Sequence, residues 1–151
     1  MPLTTRHYEH RDADAVLRLY REAATWFEDV EVTRDFIVSS SERTDFRFIV
    51  AEDAGTLVGF IGALYYKGVG RAELGPIAVE GSKRSNGVGS ALVKSMHRFL
   101  SGQGIARVTV KVKAGNKAAI SFFLGQGFGH EAYLRRYTLK GEDVAELVAH
   151  I

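Results

Sequence analysis

The stretch GPIAVEGSKRSNGVGSALVKS, residues 75–95, decides how the chain is read. Pro76 aside, it opens as a strand and ends in helical spacing. Between the two lies Lys83-Arg84-Ser85-Asn86-Gly87-Val88-Gly89, basic and nearly free of bulk. A helix start exposes about four unpaired backbone N–H groups and a partial positive charge, which together suit an anion, phosphate above all. A Cβ would hold a phosphate off the backbone, so Gly87 and Gly89 permit approach. Arg84 adds a forked guanidinium, Lys83 a point charge and Ser90 a hydroxyl. The turn therefore reads as a pyrophosphate cradle. A glycine-containing loop that only turns a strand into a helix fits the spacing equally well. Two familiar phosphate binders fit poorly. A P-loop needs Gly-Lys-Ser/Thr, whereas Gly89 is followed by Ser90-Ala91-Leu92; a dinucleotide fingerprint needs a third glycine where Leu92 stands.

Working outward, Leu3–His10 reads as a strand, and Asp12 caps a helix through Phe27 with Val16, Leu19, Tyr20, Ala23 and Trp26 at helical spacing. A short helix follows over Thr33–Ser40. Phe46–Glu52 and Leu57–Tyr66 form a hairpin about Asp53-Ala54-Gly55, and Arg71–Val79 is the next strand. Beyond the glycine turn, Val88, Leu92, Met96, Phe99 and Leu100 trace one helical face that ends near Gly102 and Gly104. Arg107–Val112 alternates as a strand. Asn116 starts a short helix closed by Gly127, Tyr133–Leu139 is a last strand, and residues 142–151 form a terminal helix. The order β-α-α-β-β-β-α-β-α-β gives an α/β fold, one domain over 1–151, with a mixed sheet and a parallel crossover over 71–112.

Composition bounds the function. The chain has 151 residues, 46% of them apolar and 25% charged, and a net charge of only +2. That profile fits an ordinary globular domain and gives no support for nucleic acid as a partner. Without cysteine there is no disulfide framework, thiol nucleophile or thiolate metal site. The opening MPLTTRHYEHRDAD lacks the apolar core of a signal peptide, and no run approaches the roughly 20 apolar residues of a membrane span. The expectation is a cytoplasmic protein with no membrane partner.

Arg84-x-x-Gly87-x-Gly89, following ELGPIAV, resembles the acetyl-CoA motif of the GNAT superfamily of N-acetyltransferases. NKAAISFFLGQGF resembles that family's second motif, through Asn116, Ala119, Phe122, Phe123 and Gly127-Phe128. The resemblance covers residues 3 to 139, and it implies a splayed central sheet flanked by helices. The fourth strand would part from the fifth and leave a V-shaped gap for the pantetheine arm of acetyl-CoA, the acyl donor. The arm would pair with the backbone of Ile77, Ala78 and Val79. The amides of Arg84, Ser85, Asn86, Gly87, Val88, Gly89 and Ser90 would hold the pyrophosphate, and Asn116 would contact the arm from the far side. Asn116 as a plain N-cap is compatible with that role. Proline is disfavoured inside a paired strand, so Gly75-Pro76 marks the place where the sheet opens. Dimers are common in the family, so a homodimer joins the amine acceptor among the expected partners.

A thioester already carries an activated acyl group, so protonation is the remaining obstacle. An alkyl amine of pKa about 10 is mostly protonated at neutral pH, and freeing it costs roughly 4–5 kcal/mol. A carboxylate in a cleft can take that proton, and Glu73 is the candidate base. It stands four residues before Ile77, so period-two alternation puts both side chains on one face. RAELGPIAV is also similar to the stretch that carries the general-base glutamate in the histone-acetyltransferase branch of the superfamily. An exposed strand carboxylate paired with Arg71 or Lys67 is the plainer reading of Glu73. A backbone donor near the break, Ile77 or a neighbour, would serve the carbonyl oxygen. Phe123 departs from the family: many members carry a tyrosine there, proposed to protonate the leaving thiolate. A non-catalytic acyl-CoA-binding module is the alternative that this departure raises.

Other residues carry weaker signals. His7 and His10 lack a third ligand nearby, so no metal is expected. His97 reads as solvated on the polar side of its helix, and Trp26 and Phe27 as core. The acidic run Glu28-Asp29-Val30-Glu31, and Tyr65 and Tyr66, are candidates to border an amine acceptor site. Tyr133, Tyr137 and His130 stand on or near the last strand, with nothing to place them at the sulfur.

Overall fold

The computed structural model describes residues 3–27, 31–84 and 86–151. Its spine is one seven-stranded mixed sheet in the order β1-β2-β3-β4-β5-β7-β6. Strands β1 (Leu3–His7), β2 (Phe46–Asp53), β3 (Thr56–Tyr66) and β4 (Arg71–Val79) run antiparallel, each to the next of these four. The β2–β3 hairpin closes on Ala54 and Gly55, both at positive φ, the pair of left-handed residues that a two-residue hairpin requires. Strand β5 (Arg107–Lys113) pairs parallel to β4, and α3 (Val88–Gly102) is the crossover between them. The expected β-α-β unit is therefore present.

Helices cover both faces. On one side lie α3 and α4 (Lys117–Gly125), over a core of Leu92, Val93, Met96 and Leu100 from α3, Val108 and Val110 from β5, and Phe123 and Phe128. Full burial of each such side chain stabilises by about 1.5–3 kcal/mol. On the other side, α1 (Ala13–Glu22) and α2 (Arg34–Ser41) enclose a second core of Val16, Leu19, Ile37, Phe48, Phe60 and Ala78. The Thr33 hydroxyl accepts from the Phe36 amide and caps α2. Asp12 precedes α1 but caps nothing there; its carboxylate accepts two Arg6 hydrogen bonds, at 2.8 and 2.9 Å, and the Glu9 amide.

Three expectations need correction. The first helix stops at Glu22 and a single 3-10 turn carries Ala24–Trp26, so Trp26 is not part of it. The sixth strand, β6, spans Gly129–Leu134 rather than Tyr133–Leu139. Residues 142–151 are not a terminal helix. Val144–His150 is β7, inserted antiparallel between β5 and β6. Val144, Ala145, Leu147 and Ala149 are buried, and β-branched Val144 and Val148 suit a strand with neighbours on both edges.

Candidate active site

The β4–β5 ladder runs only from Arg71↔Arg107 to Leu74↔Val110. From Gly75 onward β4 keeps β3 as its partner, while β5 continues along β7. The sheet thus parts at Gly75-Pro76, as Pro76 led us to expect. Across the β3–β4 ladder, Ile61 faces Ile77 and Ala63 faces Leu74, so Gly75 and Pro76 together oppose Gly62: one extra residue, a β-bulge.

That bulge overturns one expectation. Before it, Ala72 and Leu74 point to the α3 core; after it, Ile77 and Val79 do, while Ala78 joins the α1–α2 core. Glu73 is opposite Leu64 and faces the α1–α2 side. Glu73 and Ile77 therefore do not share a face, because the extra residue inverts the alternation between them.

The backbone beyond the break faces the gap. The Glu80 amide donates to the Val58 carbonyl at 2.8 Å, so alternation turns Ala78 toward β3 as well. The N–H and C=O groups of Ile77 and Val79 then point away from β3, into the opening. Arg84 Nε reaches the Val79 carbonyl there, at 3.4 Å.

At the start of α3, Gly87 is the N-cap residue with φ +82°, and no side chain caps the helix among the described residues. A Cβ-bearing residue is strained in that conformation. Gly89 has a different cause: a Cβ there would lie 3.0 Å from the Phe122 ring. Its bareness serves helix packing against α4, whatever else it permits. Val88 is buried in the core, Asn86 is exposed with its amide on the Lys83 carbonyl, and Ser85 lies outside the described residues. Two expected contributors have partners: Lys83 pairs with Asp53 at 3.0 Å, and the Ser90 hydroxyl reaches Gln126 at 3.3 Å. Asn116 is the N-cap of α4, accepting from the Ala119 amide at 3.1 Å. Phe123 is 2% exposed and sits edge-to-face against Phe122 and Phe128, as a core ring.

On the α1–α2 face a cleft of about 430 Å³ lies against the break. Tyr20, Trp26, Phe27, Phe36 and Phe46 give it aromatic walls; Glu73, Lys111 and Lys113 give it charge. Trp26 is 46% exposed, so the reading of it as core fails. Glu73 pairs with neither Arg71 nor Lys67 but with Lys111, 2.9 Å away, and Lys111 also stands 3.5 Å from Glu146. Burial acts to lower the Lys111 pKa; the hydrogen bond and charge of Glu73, with smaller help from Tyr137 and Glu146, outweigh it and raise the pKa overall. Lys113 is held by the Thr25 carbonyl and Glu142.

Both lysines were absent from the sequence-based candidates, although RVTVKVK alternates them with valines and so places them opposite the core. Tyr65 is buried on the α3 side against Phe99 and does not reach the cleft. Tyr66 is exposed outside its lining. Glu28, Asp29 and Val30 lie outside the described residues. Tyr133 donates to Asp143, and the Tyr137 ring lies 5.9 Å from Lys111 Nζ. His97 is half-buried rather than solvated; its ring lies against Phe128, and its Nε2 is buried without a hydrogen-bond partner among the described residues. His7 contacts Arg47 at 3.3 Å, and no group of three or more His, Asp or Glu among the described residues is placed to hold a metal ion. No helix among them is long and apolar enough to cross a membrane.

Comparison with known proteins gives the same frame. The sequence model of the acetyltransferase (GNAT) family matches residues 13–128. N-acetyltransferase 8B of Rattus norvegicus is 33% identical over 85 residues, 54% of this chain and 38% of that protein. A probable N-acetyltransferase family 8 member 5 of Mus musculus is 28% identical over 65% of this chain and 43% of its own length. The chain thus spans about two fifths of the curated relatives it matches. Among solved structures, Ard1 from Thermoplasma volcanium superposes with a TM-score of 0.87 at 25% identity, covering 100% of this chain and 99% of that one. The yncA protein of Salmonella typhimurium, solved with acetyl-CoA, shares the fold with a TM-score of 0.86 at 17% identity, over 99% of this chain and 94% of its own.

Proposed function

The chain belongs to the GNAT family of acetyltransferases, and from that premise we propose that it moves an acetyl group from acetyl-CoA directly to a primary amine, on a small molecule, a peptide N-terminus or a lysine. The observation that carries this reading is the parting of β4 from β5 beyond Leu74, with the start of α3, which no described side chain caps, near one end and Glu73 in a cleft beside it.

The residues present fit the donor. The amides of 84–90 and the Arg84 guanidinium suit a diphosphate, and the outward backbone groups of Ile77 and Val79 suit an amide-bearing arm. Ala78 supports that strand from the α1–α2 core, and Asn116 stands across the gap at the start of α4. Acetyl-CoA supplies an acetyl group already activated as a thioester. The chain's own task is the amine. Glu73, at the cleft floor, takes the ammonium proton directly or through water and leaves a lone pair to attack. An Ile77 or Val79 amide donates to the carbonyl oxygen as charge gathers there. Phe123 has no hydroxyl to give, and a thiol of pKa about 8.5 leaves without a dedicated acid.

The test is thiol release from acetyl-CoA across small amines, peptide N-termini and lysine peptides, with products identified by mass. An acetylated amine supports the reading. Protection by acetyl-CoA against thermal unfolding, with no amine raising release above background, makes the protein a binding module instead.

A further inference from the structure

We infer that Lys111 is a stand-in for the acceptor's ammonium: it occupies Glu73 until a protonated alkyl amine with an apolar body replaces it, and Glu146 receives it when it is displaced. This inference rests on reading the aromatic cleft as the acceptor site.

Three side chains carry it. Lys111 Nζ bridges two carboxylates, at 2.9 Å from Glu73 and 3.5 Å from Glu146. Glu146 is the residue directly opposite Lys111 on β7, while Glu73 lies on the other flank, opposite Thr109. One face of the sheet thus sets a single ammonium between two acceptors. Both carboxylates and the lysine are only partly exposed, with 44% of the Glu73 side chain, 23% of Glu146 and 24% of Lys111 accessible. Passing from one carboxylate to the other needs side-chain rotation and no backbone movement.

The charge balance then selects the ligand. While Lys111 sits on Glu73, that carboxylate is compensated. An incoming alkylammonium exchanges one cation for another: Glu73 stays paired, Lys111 settles on Glu146, and no partly buried charge is stranded. An alcohol, or an arylamine uncharged at neutral pH, that displaced Lys111 would leave Glu73 unpaired. Selection therefore acts on charge, and the walls of Tyr20, Trp26, Phe27, Phe36 and Phe46 favour an apolar body and a cation near ring faces. The exchange also brings the acceptor's own N–H onto the group that must remove it. Lys113 takes no part, being held by Glu142 and the Thr25 carbonyl.

Trp26 is the only tryptophan in the chain and lines the cleft, so its fluorescence reads occupancy without turnover. The 151-residue chain is titrated with 2-phenylethylamine and with 2-phenylethanol, its uncharged counterpart. The amine should bind at least about tenfold more tightly, a difference on the scale of one charge pair. Glu146→Gln, which removes the refuge, should weaken amine binding by about five- to tenfold. In a Lys111→Gln background that loss should vanish, and the amine should bind more tightly than to the unsubstituted chain, because Glu73 then has no lysine to exchange. Equal binding of amine and alcohol overturns the inference. So does an equal loss from Glu146→Gln in both backgrounds, the result of a merely structural role. Should Glu146→Gln fail to fold, Lys111→Arg serves: a forked grip on Glu73 must weaken amine binding, and unchanged affinity counts against the exchange. Acetyl transfer is scored separately with Glu73→Gln. Transfer that depends on Glu73 beside failed titrations sinks only the exchange; titrations as expected without any acetylated amine sink only the transferase reading.

Discussion

Glu73 and Ile77, four residues apart on β4, look to opposite faces of the sheet. The bulge at Gly75-Pro76 sends the Glu73 side chain to the aromatic cleft and the Ile77 side chain to the α3 core, while the backbone groups of Ile77 and Val79 turn into the gap. The proposed base and the proposed donor channel thus share one strand without competing for one face. Glu73→Gln is expected to lower kcat by about 10²- to 10³-fold with the Kd for CoA unchanged, read by steady-state kinetics and calorimetry. Normal turnover in that variant removes Glu73 from the mechanism.

Arg84 is exposed, and the one hydrogen bond that its side chain makes with a described residue is the long contact to the Val79 carbonyl. Its replacement should therefore cost binding rather than folding. Arg84→Ala should raise the Kd for CoA by about tenfold, the scale of one charge-assisted hydrogen bond, and leave the melting temperature within error. An unchanged Kd would remove it from the phosphate cradle.

At Gly89 the order reverses. A Cβ 3.0 Å from the Phe122 ring is closer than ordinary contact and makes the ring shift within its packing, so Gly89→Ala should destabilise the fold by about 1 kcal/mol in urea titrations. Adding Phe122→Leu should recover part of that loss. Full stability in the single variant would contradict the packing described.

Arg6 bridges Asp12 and Glu52, and Asp12 is the buried member, with 6% of its side chain accessible. Burial alone would raise the Asp12 pKa, but the Arg6 hydrogen bonds and the Glu9 amide outweigh it and hold the pKa below the usual carboxylate value. A carboxyl with a lowered folded pKa contributes stability above its unfolded pKa, about 3.9, and loses it as pH falls through the folded value. Arg6→Met should cost about 3 kcal/mol at pH 7 by leaving Asp12 unpaired, and the deficit should shrink below about pH 4. A deficit independent of pH would assign the loss to packing alone.

His97 works at higher pH. Burial lowers its pKa, so the neutral ring is the folded form and the unfolded chain binds the extra proton. Stability is fully present above the unfolded pKa, about 6.5, and falls as pH drops from there toward the folded value. His7 shifts the same way, from burial and then from Arg47, so one substitution removes part of the slope. His97→Leu should flatten the dependence between about pH 7 and 5 and raise stability at its lower end by about 1 kcal/mol. An unaltered slope in chemical denaturation would contradict this.

What the sequence made legible was local. The glycine turn, the β4–α3–β5 unit and the break at Gly75-Pro76 each rest on residues close together in the chain. What it hid depended on distant neighbours. Residues 144–150 carry apolar side chains on both faces, so their alternation is blurred, and only the flanking β5 and β6 make them a strand. Gly75-Pro76 signalled a break but not the inverted parity that follows from one extra residue. Lys111 was visible on the outward face of β5, yet its meaning needs Glu73 on one side and Glu146 on the other. His97 was assigned by helical spacing, which says nothing of the Phe128 ring laid against it.

The seating of β7 between β5 and β6 fixes an order of assembly. As the chain is synthesised, β6 emerges before the one neighbour it zips onto, and the stretch that brings Thr138 and Val144 to the aromatic cleft is anchored by that late insertion. The crevice set by β4, α3 and β5 can take shape while the aromatic cleft is still missing a wall.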